Sequence, residues 1–462
     1  MATLADTPQL RRVLAASTIA LFAINVDFFS VQAALPQMAE DLGSSVTTLH
    51  WVMSGFMLVM ASFLIVGGRL ADLQGRRRWM LIGAAIFGAA SLLGGAASSA
   101  SMVIGFRMLQ GLGSAILFPV CLAVVTNAFP PEKTQRAVGL VFGIAAIGNA
   151  VGPFVGGVLT SAASWRWVLW LNVPIAIAIG VLALTSVTES RDTTAPRTID
   201  WRGVVVVAAS VGVFTFGVDG AADWGWGSPR TLGLMVASVV GLALFVWLER
   251  RTQFPLVDMT LFRIREFSVM IGAGMVGNAA QVVAIFLSMI YLQNVEGLSP
   301  VVAGTAFLAF SLGAAVGQQF SGRVERFRSW AVMDAALLIG GIGAIGMGLG
   351  VDTQAAFLVM SIPAGAGLGL TWSYASVVTQ AVAPPAKAGG ASGVVLTMLI
   401  GFAGVAIAVA SSALSTGTGT PRSLIGTTLI AFGALAVVVV PLVTVFGRRQ
   451  PAVACRIVRG LA

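Results

Sequence analysis

Two side chains of opposite charge stand in stretches of sequence that offer them no water. Asp27 lies within the apolar run from Val13 to Leu35, and Arg107 within the run from Ser101 to Ala128. An ionised group at membrane depth is expensive, so each asks for a partner or a task. Asp27 precedes Leu35 by eight residues and Arg107 follows Ser101 by six, placing them about 12 Å and about 9 Å of helix from the same membrane face. The acid and the base can therefore meet. As neighbours they lower each other's burial cost, and a proton on Asp27, or an inserted cation, would break the pair. Asp27 and Arg107 are thus the candidate proton-coupling residues; a permanent ion pair that only locks two helices is the alternative.

Enzymatic chemistry has little to work with. The single histidine, His50, stands at the entrance to an apolar run, and Asp27 has no second carboxylate in its own run, so neither an acid/base dyad nor a metal site is assembled. Cys121 and Cys455 are too few and too far apart for a disulfide framework. The only lysines, Lys133 and Lys387, do not follow a glycine, which excludes a phosphate loop of the G-x-x-x-x-G-K type. Energy must then come from an ion gradient, from the substrate's own gradient or from another chain, and no cofactor is expected. Gln110 follows Arg107 by three residues, and Asn278 and Gln281 share one helix face. With Trp372 and Tyr374 they are candidate lining for an apolar ligand, although Trp and Tyr also serve as interface anchors. Asp219 and Asp223 are assigned to a solvated loop, and Asp334 to a helix N-terminus.

The elements that must position these groups follow from composition. Of 462 residues, 57% are hydrophobic and 10% charged, with mean hydropathy +0.93; a soluble domain is roughly a quarter charged. Spanning about 30 Å of hydrocarbon takes about 20 apolar residues. Fourteen such runs follow one another, the first too long for a secretory signal. The net charge of +9 does not point to nucleic acid, because the basic residues sit in the polar breaks. With the N-terminus in the cytoplasm, 23 of the 27 Lys and Arg fall on that side, three (Arg166, Arg230 and Arg422) on the other, and Arg107 within a span. That bias places both termini in the cytoplasm of a multi-pass plasma-membrane protein.

An internal repeat divides the chain. Gly68-Arg69-Leu70 recurs as Gly322-Arg323-Val324, an offset of 322 − 68 = 254, and Gly111-Leu112-Gly113 recurs as Gly365-Ala366-Gly367 at the same offset. The expected fold is an all-α integral membrane protein of fourteen transmembrane helices, two six-helix bundles related by pseudo-symmetry plus a two-helix insertion, with the ligand site between the bundles. In residue terms this means a cytoplasmic N-terminus 1–12, an N-terminal bundle 13–190, an inserted linker 191–250, a C-terminal bundle 251–447 and a cytoplasmic tail 448–462. The offset maps Asp27 onto Gln281 and Arg107 onto Ser361, so proton coupling is expected in the first half alone.

Two local strings add conformational elements. Gly68-Arg69-Leu70-Ala71-Asp72-Leu73-Gln74-Gly75-Arg76-Arg77-Arg78 lies between the second and third spans. Its glycines permit a tight reversal, while Arg76 and Arg77 can pair with Asp72 or with helix carbonyl ends. In the fifth span, Gly148, Gly152 and Gly156 recur every four residues, with Pro153 and Gly157 beside them; such a stripe packs helices closely, here as a contact between the halves.

The first string resembles the loop signature of the major facilitator superfamily, and the second its exporter signature. Trp165-Arg166-Trp167, Asn172-Val173-Pro174, Asp27 with Ala34-Leu35-Pro36, Asp200-Trp201-Arg202-Gly203, and Tyr291-Leu292-Gln293 with Gly297-Leu298-Ser299-Pro300 resemble its fourteen-span drug:proton antiporter branch. Leu73, Phe29 and Gln32 depart from the usual residues of these motifs. The resemblance implies an exporter of hydrophobic, often cationic, small molecules, exchanged for protons by alternating access across the bilayer and driven by the proton gradient; a monomer is expected. An importer or facilitator of a small metabolite is the alternative on the same fold.

Overall fold

In the computed structural model the described residues are 7–44, 46–49, 51–191, 200–252, 259–321, 328–382, 388–416 and 419–447. They contain fourteen helices long and apolar enough to cross a membrane. The first half holds α1 (Pro8–Asp41), α2 (Trp51–Gln74), α3 (Arg76–Gly95), α4 (Ala100–Ala128), α5 (Pro131–Ala162) and α6 (Arg166–Ser186). After α7 (Trp201–Trp224) and α8 (Pro229–Arg251) come α9 (Arg265–Ile290), α10 (Pro300–Phe320), α11 (Ser329–Leu349), α12 (Gln354–Val382), α13 (Ala388–Thr416) and α14 (Pro421–Gly447).

Several starts are written in the local sequence. The hydroxyls of Thr7, Ser99, Ser228 and Ser299 each accept the backbone N–H three positions on, in the first turn of α1, α4, α8 and α10. Three of these caps are followed by proline, whose missing N–H costs nothing at a first helical position. The cap at Thr7 carries α1 back to Pro8, so part of the expected N-terminal segment 1–12 is helical. At the other end α7 runs on through Trp224, which places the backbone of residues 219 and 223 in a helix rather than the expected loop. His50, Gly322, Arg323, Lys387, Cys455 and the tail 448–462 lie outside the described residues.

Packing follows the expected repeat. In the first half α1 lies along α5, α2 along α4, and α3 along α4 and α6; in the second, α10 and α11 lie along α12, and α11 along α14. The repeated glycines occupy equivalent crossings. A Cβ on Gly111 would stand 2.5 Å from the carbonyl oxygen of Phe56 in α2, and one on Gly365 would meet that of Phe310 in α10; Phe56 and Phe310 are themselves separated by 254. Gly113 similarly faces Phe87 of α3, and Gly367 faces Gly340 of α11. The halves meet where α5 lies along α10 and α2 against α13. The α7–α8 pair sits outside, with α7 against both α2 and α13. Its partner α8 turns Val236, Val239 and Val240 outward, as an apolar helix facing lipid must.

Candidate functional site

Asp27 and Arg107 meet. The guanidinium Nη1 of Arg107 donates to Asp27 Oδ2 at 2.5 Å, and each residue is 1% exposed. The other carboxylate oxygen accepts from Gln110 Nε2 at 3.0 Å and from Asn172 Nδ2 at 2.6 Å. Arg107 also donates to Gln110 Oε1 at 2.7 Å and, through Nε, to the Val52 carbonyl at 3.2 Å. Arg107 and Gln110 reach Asp27 together because residues three apart on α4 share a face. A buried charge is tolerable when paired and hydrogen-bonded; four helices, α1, α2, α4 and α6, supply the bonds, and Nη2 of Arg107 alone of its nitrogens is buried without a hydrogen-bond partner among the described residues.

Gln110 is fully buried against Asp27 and is not among the residues lining either of the two chambers between the halves. Its spacing from Arg107, rather than its polarity, is what decides its partner. Asn172 completes the cluster and was not singled out as a site residue. It opens the second segment of α6, after the break at Leu171, and its presence in the Asn172-Val173-Pro174 string was the available signal.

Beside the cluster, between the halves, lies a chamber of about 170 Å³ that continues into a second of about 280 Å³ toward the end where α1 finishes. The two share Phe28, Phe29, Met57 and Ile285 in their walls. Asn278, Gln281 and Trp372 line the first chamber, and Tyr374 does not. It packs instead among α9, α11 and α14 residues such as Met270, Met333 and Val443. Two residues apart on a helix means about 200° around its axis, so Trp372 and Tyr374 cannot face one ligand. Asn25, Asn149 and Gln318 were missed; they complete the polar part of the first chamber. Phe56 stands between site and chamber: it is buried at the chamber wall, and its ring lies 4.5 Å from the Arg107 guanidinium.

Gly75 forms the single-residue joint between α2 and α3, with φ at +123°, a conformation that only glycine adopts easily. Arg76 grips Asp72 through Nε at 2.9 Å and Nη2 at 2.8 Å, and Arg77 donates to the Leu184 carbonyl near the end of α6 at 2.8 Å. The Glu189 carboxylate accepts from the backbone N–H groups of Arg77 and Arg78, a helix N-terminus held by an anion. Glu189 was not anticipated, because nothing local to the string announces a partner more than 100 residues away.

The stripe of α5 faces elsewhere than expected. Gly148 lies against the Phe22 carbonyl, Gly152 against Phe29 and Val26, and Gly156 against Ser30, all of them residues of α1. Ser30 Oγ donates to the Gly152 carbonyl at 2.7 Å, and Pro153 and Gly157 are buried beside it. The stripe therefore closes the first half on itself; α5 touches the second half through other residues, with Phe154 near Gly304 and Gly143 near Gln319. Asp334, assigned to a helix N-terminus, instead accepts from Thr444 of α14 at 2.5 Å, because it lies beyond the first turn of α11.

At the end opposite Gly75, α1 is clasped to α6. Asp41 accepts from Trp165 Nε1 at 2.9 Å and from Arg166 Nη1 at 2.5 Å. Those two bonds, the indole's first, hold its carboxyl below the usual carboxylate range. The second half repeats the device, with Glu296 beyond α9 accepting from Arg422 of α14 at 2.6 Å.

Residues 17–408 match the family model described as Major Facilitator Superfamily. The chain is 33% identical over 398 residues to the multidrug resistance protein Stp of Mycobacterium tuberculosis (strain ATCC 25618 / H37Rv), covering 84% of this chain and 74% of that one. It is 31% identical over 418 residues to the tetracenomycin C resistance and export protein of Streptomyces glaucescens, covering 89% and 74%. With the puromycin resistance protein pur8 of Streptomyces alboniger it shares 34% over 377 residues, covering 79% and 74%. Its fold is similar to that in the crystal structure of the human organic anion transporter MFSD10 (TETRAN), with TM-score 0.65 at 15% identity, covering 94% of this chain and 100% of that chain.

Proposed function

Because this chain belongs to the Major Facilitator Superfamily, a family of transporters rather than enzymes, we propose that it exports drug-like hydrophobic molecules across the plasma membrane in exchange for protons. The observation that carries this reading is the water-free acid of α1, held by Arg107, Gln110 and Asn172 and linked through Phe56 to a chamber between the halves. The names of the relatives, which speak of resistance and export, support the direction.

In this mechanism Asp27 takes up the proton. Neutralised, it no longer holds the Arg107 charge, and the guanidinium must find new partners. Its shift beneath Phe56 alters a wall of the chamber, so proton and substrate compete through one ring. Alternating access then arises from rocking of the two bundles about the α5–α10 and α2–α13 seams. The short turn at Gly75 and the glycine-packed α1–α5 pair keep the first bundle rigid as it moves. Both termini face the cytoplasm, and a monomer suffices because the chamber is complete within one chain.

The test is uptake into everted membrane vesicles with an acidic lumen, using a panel of fluorescent dyes and antibiotics. The wild-type protein should load the vesicles and release protons from them. Asp27→Asn should abolish that exchange while the protein remains inserted. Unchanged exchange in the variant removes Asp27 from the mechanism, and gradient-driven movement only in the opposite direction would make the protein an importer.

A further inference from the structure

We propose that the molecule carried in the first chamber is uncharged, with aromatic rings and hydrogen-bonding groups of both kinds, rather than a lipophilic cation. This deepens the exporter reading and rests on it.

Charge comes first. Among the described residues, no Asp, Glu, Lys or Arg lines either chamber. The acid nearest to hand, Asp27, has a side chain with no exposed surface and three donors already on its two oxygens. A cation entering the first chamber would give up its hydration and find no counter-ion. Aromatic faces are a partial substitute, but at Phe56 the Arg107 guanidinium already stands 4.5 Å from the centroid, and the other rings of the wall carry no net charge to neutralise a desolvated cation. The proposal concerns the first chamber, to which α7, the helix carrying Asp219, contributes no wall.

Hydrogen-bonding capacity points the same way. Apart from the Trp372 indole, the polar groups on the first chamber's wall are carboxamides, which carry a donor and an acceptor each and no net charge. The Oδ1 atom of Asn149 is buried without a partner, and so asks a ligand for a donor. Asn278 gives its Nδ2 to the Leu399 carbonyl at 2.9 Å, which leaves its oxygen toward the cavity. Gln281 and Gln318 are 4% and 3% exposed, and their amides bond to no described residue, leaving N–H groups for a ligand carbonyl or ether. Unpaired buried amides penalise a ligand that cannot match them.

Shape agrees. Phe142 and Trp372 meet edge to face at 6.3 Å from opposite halves, and Phe28 stands 5.1 Å from Phe29 and 6.0 Å from Phe56. Rings in such mutual contact form a continuous aromatic wall, against which aromatic groups of a ligand can pack face or edge on.

Triphenylphosphine oxide and tetraphenylphosphonium make a matched pair of probes, since both carry phenyl rings on phosphorus and they differ in charge. Equilibrium dialysis against the purified full-length protein at pH 8 should show the oxide bound at least tenfold more tightly. Gln281→Glu should raise the affinity for the phosphonium at least tenfold and weaken the oxide; if that variant fails to fold, Asn149→Asp applies the same test to the facing wall. Equal or tighter binding of the phosphonium by the wild type would overturn the neutral class and leave the exporter reading standing. No gain of phosphonium binding in either acidic variant would overturn the chamber as the site. Binding of neither probe would count against both readings.

Discussion

At the scale of the residue, the proposed mechanism turns on one buried acid that accepts from three side chains, those of Arg107, Gln110 and Asn172. Asp27→Asn leaves Arg107 buried without its counter-charge, a change that costs about 3–5 kcal/mol when a buried pair loses one partner. Adding Arg107→Gln removes the orphaned charge. The double variant should therefore recover most of the thermal stability lost in the single one, yet remain unable to exchange substrate for protons. Recovery of both would reduce the pair to a structural lock; thermal unfolding and vesicle exchange on the same preparations separate the two. The acid and base were legible in the sequence because depth along a helix is arithmetic. Asn172 was not, since a contact across 145 residues leaves no local trace.

Asp41 gives a pH-dependent counterpart. Its folded-state carboxyl sits below the usual range because Trp165 and Arg166 bond to the ionised form. A depressed folded pKa contributes stability that is present above about pH 4 and lost as the pH falls through the folded value. Acidification below pH 4 should thus loosen the α1–α6 clasp, seen as a change in Trp165 fluorescence, and Asp41→Asn should abolish that transition. Because Asp41 is 45% exposed at its side chain, the accompanying change in global stability should be small.

At the scale of the element, glycine decides where helices turn and how closely they approach. Gly75→Ala meets two obstacles, a positive φ and a Cβ within 2.5–2.9 Å of the Glu189 carboxylate. Backbone strain of this kind costs of order 1–3 kcal/mol, and Glu189→Ala should relieve only the steric share of it. Gly156→Leu, by contrast, pushes directly on the Ser30 backbone, one turn from Asp27. It should separate α1 from α5 and reduce exchange, detectable as lost cross-linking between cysteines placed on the two helices. The existence and period of the stripe were legible; its partner was not. A row of small residues states that a helix comes close without saying which helix, and here it is α1 of the same bundle rather than the other half.

At the scale of the whole molecule, the proposed coupling and recognition sites occupy different compartments, a buried acid–base cluster inside the first bundle and a chamber without charged walls between the bundles. If one proton at Asp27 is exchanged for one neutral molecule, each cycle carries a positive charge inward. A membrane potential, negative on the cytoplasmic side, should then drive export without a pH gradient, at about 2.3 kcal/mol per charge for each 100 mV. Valinomycin-imposed potentials in proteoliposomes measure this, and exchange indifferent to potential would contradict it.

The sequence by itself determined the fourteen spans to within a few residues, the repeat at 254 and the meeting depth of Asp27 and Arg107, because hydrophobic length, glycine spacing and helical rise are properties of a segment taken alone. Only the tertiary structure decided that Trp372 and not Tyr374 reaches the chamber, that Gln110 serves Asp27, and that the α5 stripe closes on α1. In lipid every apolar face is equally well solvated, so hydrophobicity cannot choose between one side of a helix and another; that choice falls to shape and hydrogen bonding between residues far apart in the chain.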